Sequence, residues 1–522
     1  GLNTPMMTSS FAASTAASNL GLTGNVTVPL GGSAVNSITI TKNVANLTVG
    51  FSSATDLLTV TSGGILGGRW DQARWIGSQA LPGRITSGSD ALYLHNFQNW
   101  MHVYPQITGA IDLVVDSASA AGGIIQLFGG TTGNNFTGTT YVNAARLALN
   151  ASVGNAIPGN LVVTGGNAFG SDSMAAASIG VFNLRSNQVA DKATVTVRGG
   201  GSYDLNGFDE TVARVVFESG GASSGGGSPY LRTGSGTLTI AAGGGISAVK
   251  LDDPRAIPVL MGNLSLPLGA TINVEAVRAA TVLGAPQTGL ALNAVIVNPT
   301  IVTKTGAGNL FLGGASYVEN TIFVTQGSVS LGVVGNYPLT TVDLAAGTRL
   351  DMRGYTNLAL GSVSGSGTLR NSNATAGTLV LGADNRDSVF DGAISSSFST
   401  ALLGLTKVGT GDWSLGADNS AAGIGALRVM QGSVTLSGAT ARAAFNSVIP
   451  FSGARVILDN TTNRVSGRLG PAVQAATALA TSLSPQGGEI EIRGSAAGAV
   501  SEATGLLLPA DGGGVVTLSA SG

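Results

Sequence analysis

Apolar and polar positions alternate along this chain in short bursts, and glycine punctuates them. Gly236-Thr237-Leu238-Thr239-Ile240 and Ser433-Val434-Thr435-Leu436 are examples, with the period-two signature of a strand that buries one face. Flanking Gly-x-Gly elements such as Gly234-Ser235-Gly236 supply backbone angles that residues with a Cβ resist, so the chain can turn sharply. A strand this short cannot bury its apolar face alone. Stacking on the next coil, about 4.8 Å away, builds a continuous core and pairs the backbone along the axis. The pattern predicts an all-β fold, a single long parallel β-helix (β-solenoid). With about 20–25 residues per coil it would have roughly two dozen rungs and a length of about 100 Å or more. Helix signals are confined to Pro471-Ala472-Val473-Gln474-Ala475-Ala476-Thr477-Ala478-Leu479-Ala480, where proline stands near a plausible first turn.

Internal repetition supports the solenoid. Val302-Thr303-Lys304-Thr305-Gly306-Ala307-Gly308-Asn309-Leu310-Phe311-Leu312-Gly313 returns as Leu405-Thr406-Lys407-Val408-Gly409-Thr410-Gly411-Asp412-Trp413-Ser414-Leu415-Gly416. Each copy is followed by a Gln-Gly-Ser turn and a strand, at Gln326-Gly327-Ser328 and at Gln431-Gly432-Ser433. Partial copies begin at Thr233 and Ser364, and a second unit pairs Ser202–Phe208 with Arg349–Tyr355. We expect an irregular N-terminal portion (1–110) with an aromatic insertion, a repeat-containing solenoid (111–440) and less repetitive C-terminal rungs (441–522).

Composition narrows the class further. Of 522 residues 79 are Gly and 10% are charged, against roughly 25% charged residues and about 7% Gly in an ordinary domain. No Gly-X-Y period exists and Pro is limited to 16 residues, which excludes collagen. A hydrophobic content of 43% is too high for a disordered chain. The absence of Cys removes disulfides, zinc–thiolate sites and iron–sulfur ligation, leaving packing and hydrogen-bond ladders to hold the fold. A net charge of −2 gives no basic field for nucleic acid and favours self-association. No apolar run is long enough for a transmembrane helix. The chain begins at Gly1 with neither Met nor a signal pattern, as in a mature secreted product or a piece of a longer polypeptide.

The Lys304 and Lys407 segments resemble the passenger-associated repeat of bacterial autotransporters, the autotransporter-associated β-strand repeat, whose usual form reads L-T-K-x-G-x-G-T-L-x-L-x-G-x-N-x-Y-x-G and then T-x-V-x-x-G-x-L. Asn134-Asn135-Phe136-Thr137-Gly138-Thr139-Thr140-Tyr141 is similar to the second half of that form. The resemblance spans most of 110–440 and implies a right-handed parallel β-helix exported to the cell surface, without implying a ligand. Two departures stand out. No run of amphipathic strands with aromatic girdles, the mark of an outer-membrane barrel, closes this sequence. The Lys304 copy also carries Ser316-Tyr317-Val318-Glu319-Asn320 in place of Asn-x-Tyr-x-Gly.

Candidate chemistry gathers in one segment. Trp70, Arg74, Trp75, His95, Trp100, His102 and Tyr104 bring aromatic, basic and imidazole groups together, as at a glycan or partner contact; the competing reading is that they fill or cap the first rungs. His95 and His102 have no acidic cluster beside them to complete a metal site, and no cofactor is expected. An enzymatic reading, a β-helical polysaccharide lyase or hydrolase, needs convergent carboxylates and finds only Asp252-Asp253, which a polar turn explains equally well. The expectation is a non-enzymatic, extracellular structural protein, a subunit of a surface fibre that assembles head-to-tail with copies of itself. The alternative is a monomeric adhesin stalk that presents the aromatic segment to a glycan or neighbouring cell.

Overall fold

In a computed structural model the described residues are 7–40, 47–68, 73–117, 123–165, 180–219, 227–278, 287–332, 336–470, 481–508 and 513–520. The chain folds as an all-β parallel solenoid, with strands paired in parallel from coil to coil. Among the described residues the helical structure is one 3-10 turn, Phe11–Ala13, and no helix is long and apolar enough to cross a membrane. The candidate helix at Pro471–Ala480 lies outside the described residues. Two compact units divide the chain, Gly1–Pro267 and Leu268–Gly522.

In the first unit each coil contributes two or three strands, so the side chains of one face recur once per turn. Leu20, Ile38, Ile65, Leu94, Val115, Val142, Val163, Val197, Phe217 and Ala248 follow one another in register, and none exposes more than 1% of its surface. A second column runs Leu47, Arg74, Met101, Ile125, Leu147, Val181, Tyr203, Leu231, Leu260. Each apolar member is covered above and below by its neighbours, which is how strands of three to five residues acquire a core.

That second column is interrupted where polar side chains enter it. Tyr203 is fully buried and its hydroxyl lies 3.1 Å from both Asn183 Oδ1 and Glu210 Oε2. Glu210 Oε2 also accepts from Asn183 Nδ2 at 2.9 Å and from the Gln188 amide at 2.9 Å, while Oε1 is buried without a hydrogen-bond partner. Burial pushes the Glu210 carboxyl up to about 6, against the hydrogen bonds that favour its ionised form. A folded-state value above the unfolded one means that the native state holds the proton more tightly. The resulting stabilisation is complete below about pH 4.5 and is lost as pH rises through 6, to the extent of about 2 kcal/mol. Thermal melts should therefore show a more stable protein at pH 4.5 than at pH 7 on this account, and Glu210→Gln should flatten that difference. An unchanged pH profile in the variant would show that Glu210 does not titrate in this range.

In the second unit the column Ile272, Lys304, Val324, Leu344, Gly365, Phe390, Leu415, Leu436, Leu458, Ile492, Leu518 spans eleven coils. Lys304 and Lys407 both sit inside, exposing 0% and 1% of their surfaces. Lys304 Nζ donates to the carbonyls of Thr305, Gly306 and Gln326 at 2.8, 2.7 and 3.1 Å. Lys407 Nζ donates to those of Val408 and Gly409 at 2.7 and 2.9 Å. The aliphatic stem replaces a core side chain, and the ammonium closes the corner that follows it.

The two repeats do not occupy the same face. Lys304 stacks on Val324, whereas Lys407 belongs to the column Tyr337, Leu360, Leu381, Lys407, Val429. The strand after Lys407, Asp412–Leu415, joins the face that carries Lys304. The repeat therefore encodes a corner rather than a fixed place in the coil. In both copies the Gln-Gly-Ser turn stacks on that corner one coil later. A Cβ on Gly327 would come within 2.5 Å of the Gly306 and Gly308 carbonyl oxygens, and one on Gly432 would meet those of Gly411 and Gly409. Gly327 and Gly432 both have φ of 69°, so these positions exclude other residues by conformation and by space.

Candidate functional site

The aromatic segment is carried by one face of the first unit. Strand Trp100–Val103 lies between Arg74–Ile76 and Ile124–Leu127, pairing Trp75 with His102 and His102 with Gln126. Alternation sends Met101 and Val103 into the core with no exposed surface and turns Trp100, His102 and Tyr104 outward, half-buried. Ring centroids are 5.1 Å apart for Trp75 and His102 and 5.7 Å for Trp100 and His102, with planes inclined by 24° and 6°. Tyr104 stacks on Phe128 at 4.0 Å and 11°. His102 Nδ1 donates to Gln126 Oε1 at 2.9 Å, and burial lowers the imidazole pKa despite that bond. His102 is thus the ring shared by two stacked contacts, with Trp75 and with Trp100. Such a ladder stabilises neighbouring rungs.

The remaining candidates separate from this face. Arg74 points inward, 3% exposed, between Leu47 and Met101. Its guanidinium donates to Asn96 Oδ1 at 3.2 Å and to the carbonyls of Gln98 and Gly68 at 2.8 and 2.5 Å, so it holds a corner from within. His95 lies on the following face of an earlier strand and faces Asp116 of the next coil at 3.6 Å. Trp70 lies outside the described residues. Asp253 of the candidate acidic pair binds the amide and side chain of Arg255 two residues on, which closes a local turn. Among the described residues no group of three or more His, Asp or Glu side chains is placed to hold a metal ion.

Exposed apolar side chains also gather near the end of the second unit. Strand Val515–Ser519 pairs on one side with Glu489–Arg493. Val516 and Leu518 extend the core columns Val456–Ile490 and Leu458–Ile492, yet they are 41% and 77% exposed. The column Val448–Leu483 ends in Leu507 in the same way, and Leu506, Leu507 and Leu508 are all exposed. The outer face one coil back is charge-paired, with Arg455 binding Glu489 and Glu491, and Arg493 binding Glu491.

The first coil differs. Leu20, Leu22 and Val28 have no exposed surface, and Phe11 of the 3-10 turn is itself buried. Strand Met7–Thr8 pairs over Asn19–Leu20.

No protein-family model matches this chain, and no curated protein or solved structure matches it at a significant level.

Proposed function

We propose that this protein is a structural solenoid of the bacterial cell surface, mechanical rather than catalytic, a subunit of a fibre that assembles head-to-tail with copies of itself. The observation that carries the reading is the stacking of short strands, coil upon coil, around long buried columns in each unit, from Leu20 to Ala248 in the first and from Ile272 to Leu458 in the second. The low net charge of −2 adds little repulsion against association. The surface setting rests on the resemblance of the Lys304 and Lys407 segments to autotransporter repeats. The aromatic ladder supports a glycan-binding reading less well, because its rings contact one another.

Electron microscopy and sedimentation of the native protein over a range of concentrations test this. End-joined particles are expected. A monodisperse monomer at high concentration would overturn the proposal.

A further inference from the structure

We infer that the first unit carries a binding face for a neutral β-1,4-linked polysaccharide, laid along the coils over Tyr93 and Tyr141. This face is separate from the Trp75–His102–Trp100 ladder, and its use does not depend on how copies assemble.

Strands Ala91–Asn96, Asp112–Asp116 and Thr140–Asn143 follow one another on one face of three successive coils. Each sends an apolar and a polar side chain outward, two residues apart: Tyr93 and His95, Val114 and Asp116, Tyr141 and Asn143. The intervening Leu94, Val115 and Val142 are fully buried. The outer surface therefore holds two parallel rows, one of Tyr, Val and Tyr, the other of imidazole, carboxylate and amide. Two residues of strand set the rows about 7 Å apart, comparable with the width of a pyranose. Val162 and Thr164 continue both rows on the next coil.

Tyr93 exposes 48% of its surface. Its register neighbour in the coil before is Gly64, where an added Cβ would meet nothing closer than Ser62 Oγ at 3.6 Å, so no side chain stands over that flank of the ring. On the other flank Val114 separates Tyr93 from Tyr141. These two rings are thus spaced apart, whereas Trp75, His102 and Trp100 stack on one another.

Two coils place Tyr93 and Tyr141 about 9.6 Å apart along the stacking direction. In an extended β-1,4-linked chain successive sugars turn over, so the same face recurs at every second sugar, at nearly this spacing. The aromatic rings take the apolar faces of alternate sugars, and His95, Asp116 and Asn143 take their hydroxyls. Charge selects among such chains. His95 Nδ1 and Asp116 Oδ2 lie 3.6 Å apart, and the three coils of these rows carry no further basic group, so the Asp116 carboxylate repels an acidic polysaccharide. A neutral chain suits both rows.

Sensor surfaces carrying cellohexaose, chitohexaose (the N-acetylglucosamine hexamer), isomaltohexaose or hexagalacturonate test this with the native protein, and they register fibres and single copies alike. Binding is expected on one or both of the first two, which are β-1,4-linked, and not on α-1,6-linked isomaltohexaose or acidic hexagalacturonate. Tyr93→Ala and Tyr141→Ala should each weaken it about tenfold, and the double variant should abolish it, with thermal melts showing that the fold is kept. Trp100→Ala, on the neighbouring face, should bind like the parent. A further readout needs no variant: the soluble hexamer should compete at least about tenfold better than its disaccharide, because only the longer chain reaches both rings. Absence of binding to both β-1,4 hexamers, equal binding to all four sugars, preference for hexagalacturonate, equal competition by the disaccharide, or full binding by the double variant would each overturn the inference, whatever the protein's state of assembly.

Discussion

Replacing Lys304 with alanine is expected to destabilise the protein by about 3 kcal/mol, although lysine is ordinarily a surface residue whose removal changes stability by about 0.5 kcal/mol or less. The side chain does two jobs inside the solenoid. Its methylenes fill the column between Ile272 and Val324, and truncation leaves a cavity worth about 2 kcal/mol or more. Its ammonium satisfies the carbonyls of Thr305, Gly306 and Gln326, and stranding buried acceptors costs about 1–3 kcal/mol. Relief of the desolvated charge offsets part of this sum. Lys304→Met keeps the stem and loses only the head, so its loss should be about half as large. Urea titrations of the three proteins give the comparison; equal stability of Lys304→Ala and the parent would mean that the corner holds without its lysine.

The same residue sets a pH dependence of known sign. Burial pulls the Lys304 amine down to about 8, below the ordinary lysine value of about 10.4. Between these values the unfolded chain carries the proton and the folded chain does not. Stability from this group therefore rises with pH through that window, by up to about 3 kcal/mol. Lys304→Met should lack the rise. Lys407 shifts in the same direction through burial, opposed by the carboxylates of Asp412, Asp384 and Asp387.

These lysines mark the boundary of what the sequence disclosed. Alternation and glycine spacing revealed the strands, the corners and the parallel stacking, because each follows from local pattern and the need of short strands for neighbours. Alternation also placed the lysines: Val302 in, Thr303 out, Lys304 in, with Leu405, Thr406 and Lys407 repeating it. The residue type masked that signal, since lysine rarely lies inside unless its charge is satisfied, and the carbonyls that satisfy it come together only when the corner forms. Arg74 is hidden for the same reason, two positions before the buried Ile76. The aromatic segment was compact in sequence but is divided in space. This coil turns three times, so the seven-residue step from His95 to His102 is enough to carry the chain onto another face. What the pattern could not supply was Phe11, buried in a 3-10 turn that no period-two alternation describes.

The other large effect is expected at Trp413, where alanine should cost about 4 kcal/mol and leucine about 2 kcal/mol. The earlier repeat has Leu310 at this point, and the difference follows from the coil beneath. Trp413 stacks on Ser388, a small polar residue in a column whose other neighbour, Val434, is fully buried. Coil length explains the gap. The register steps 19 residues from Arg349 to Thr368 but 25 from Thr368 to Ala393, and the longer coil passes through a turn and exposed residues at 383–387 before Ser388. The indole bridges this thin place: it is fully buried, rests 6.4 Å from the Phe390 ring and donates from Nε1 to the Val363 carbonyl at 3.1 Å. Leucine would reproduce the other repeat and yet leave the space over Ser388 empty and the Val363 carbonyl without its donor. Coupling should expose this. In Ser388→Val the added methyls fill part of the gap, so Trp413→Leu should cost less in that background than in the parent, by about 1 kcal/mol in a double-mutant cycle. Additive losses would mean that Trp413 contributes through its own burial alone and that the long coil is packed without it.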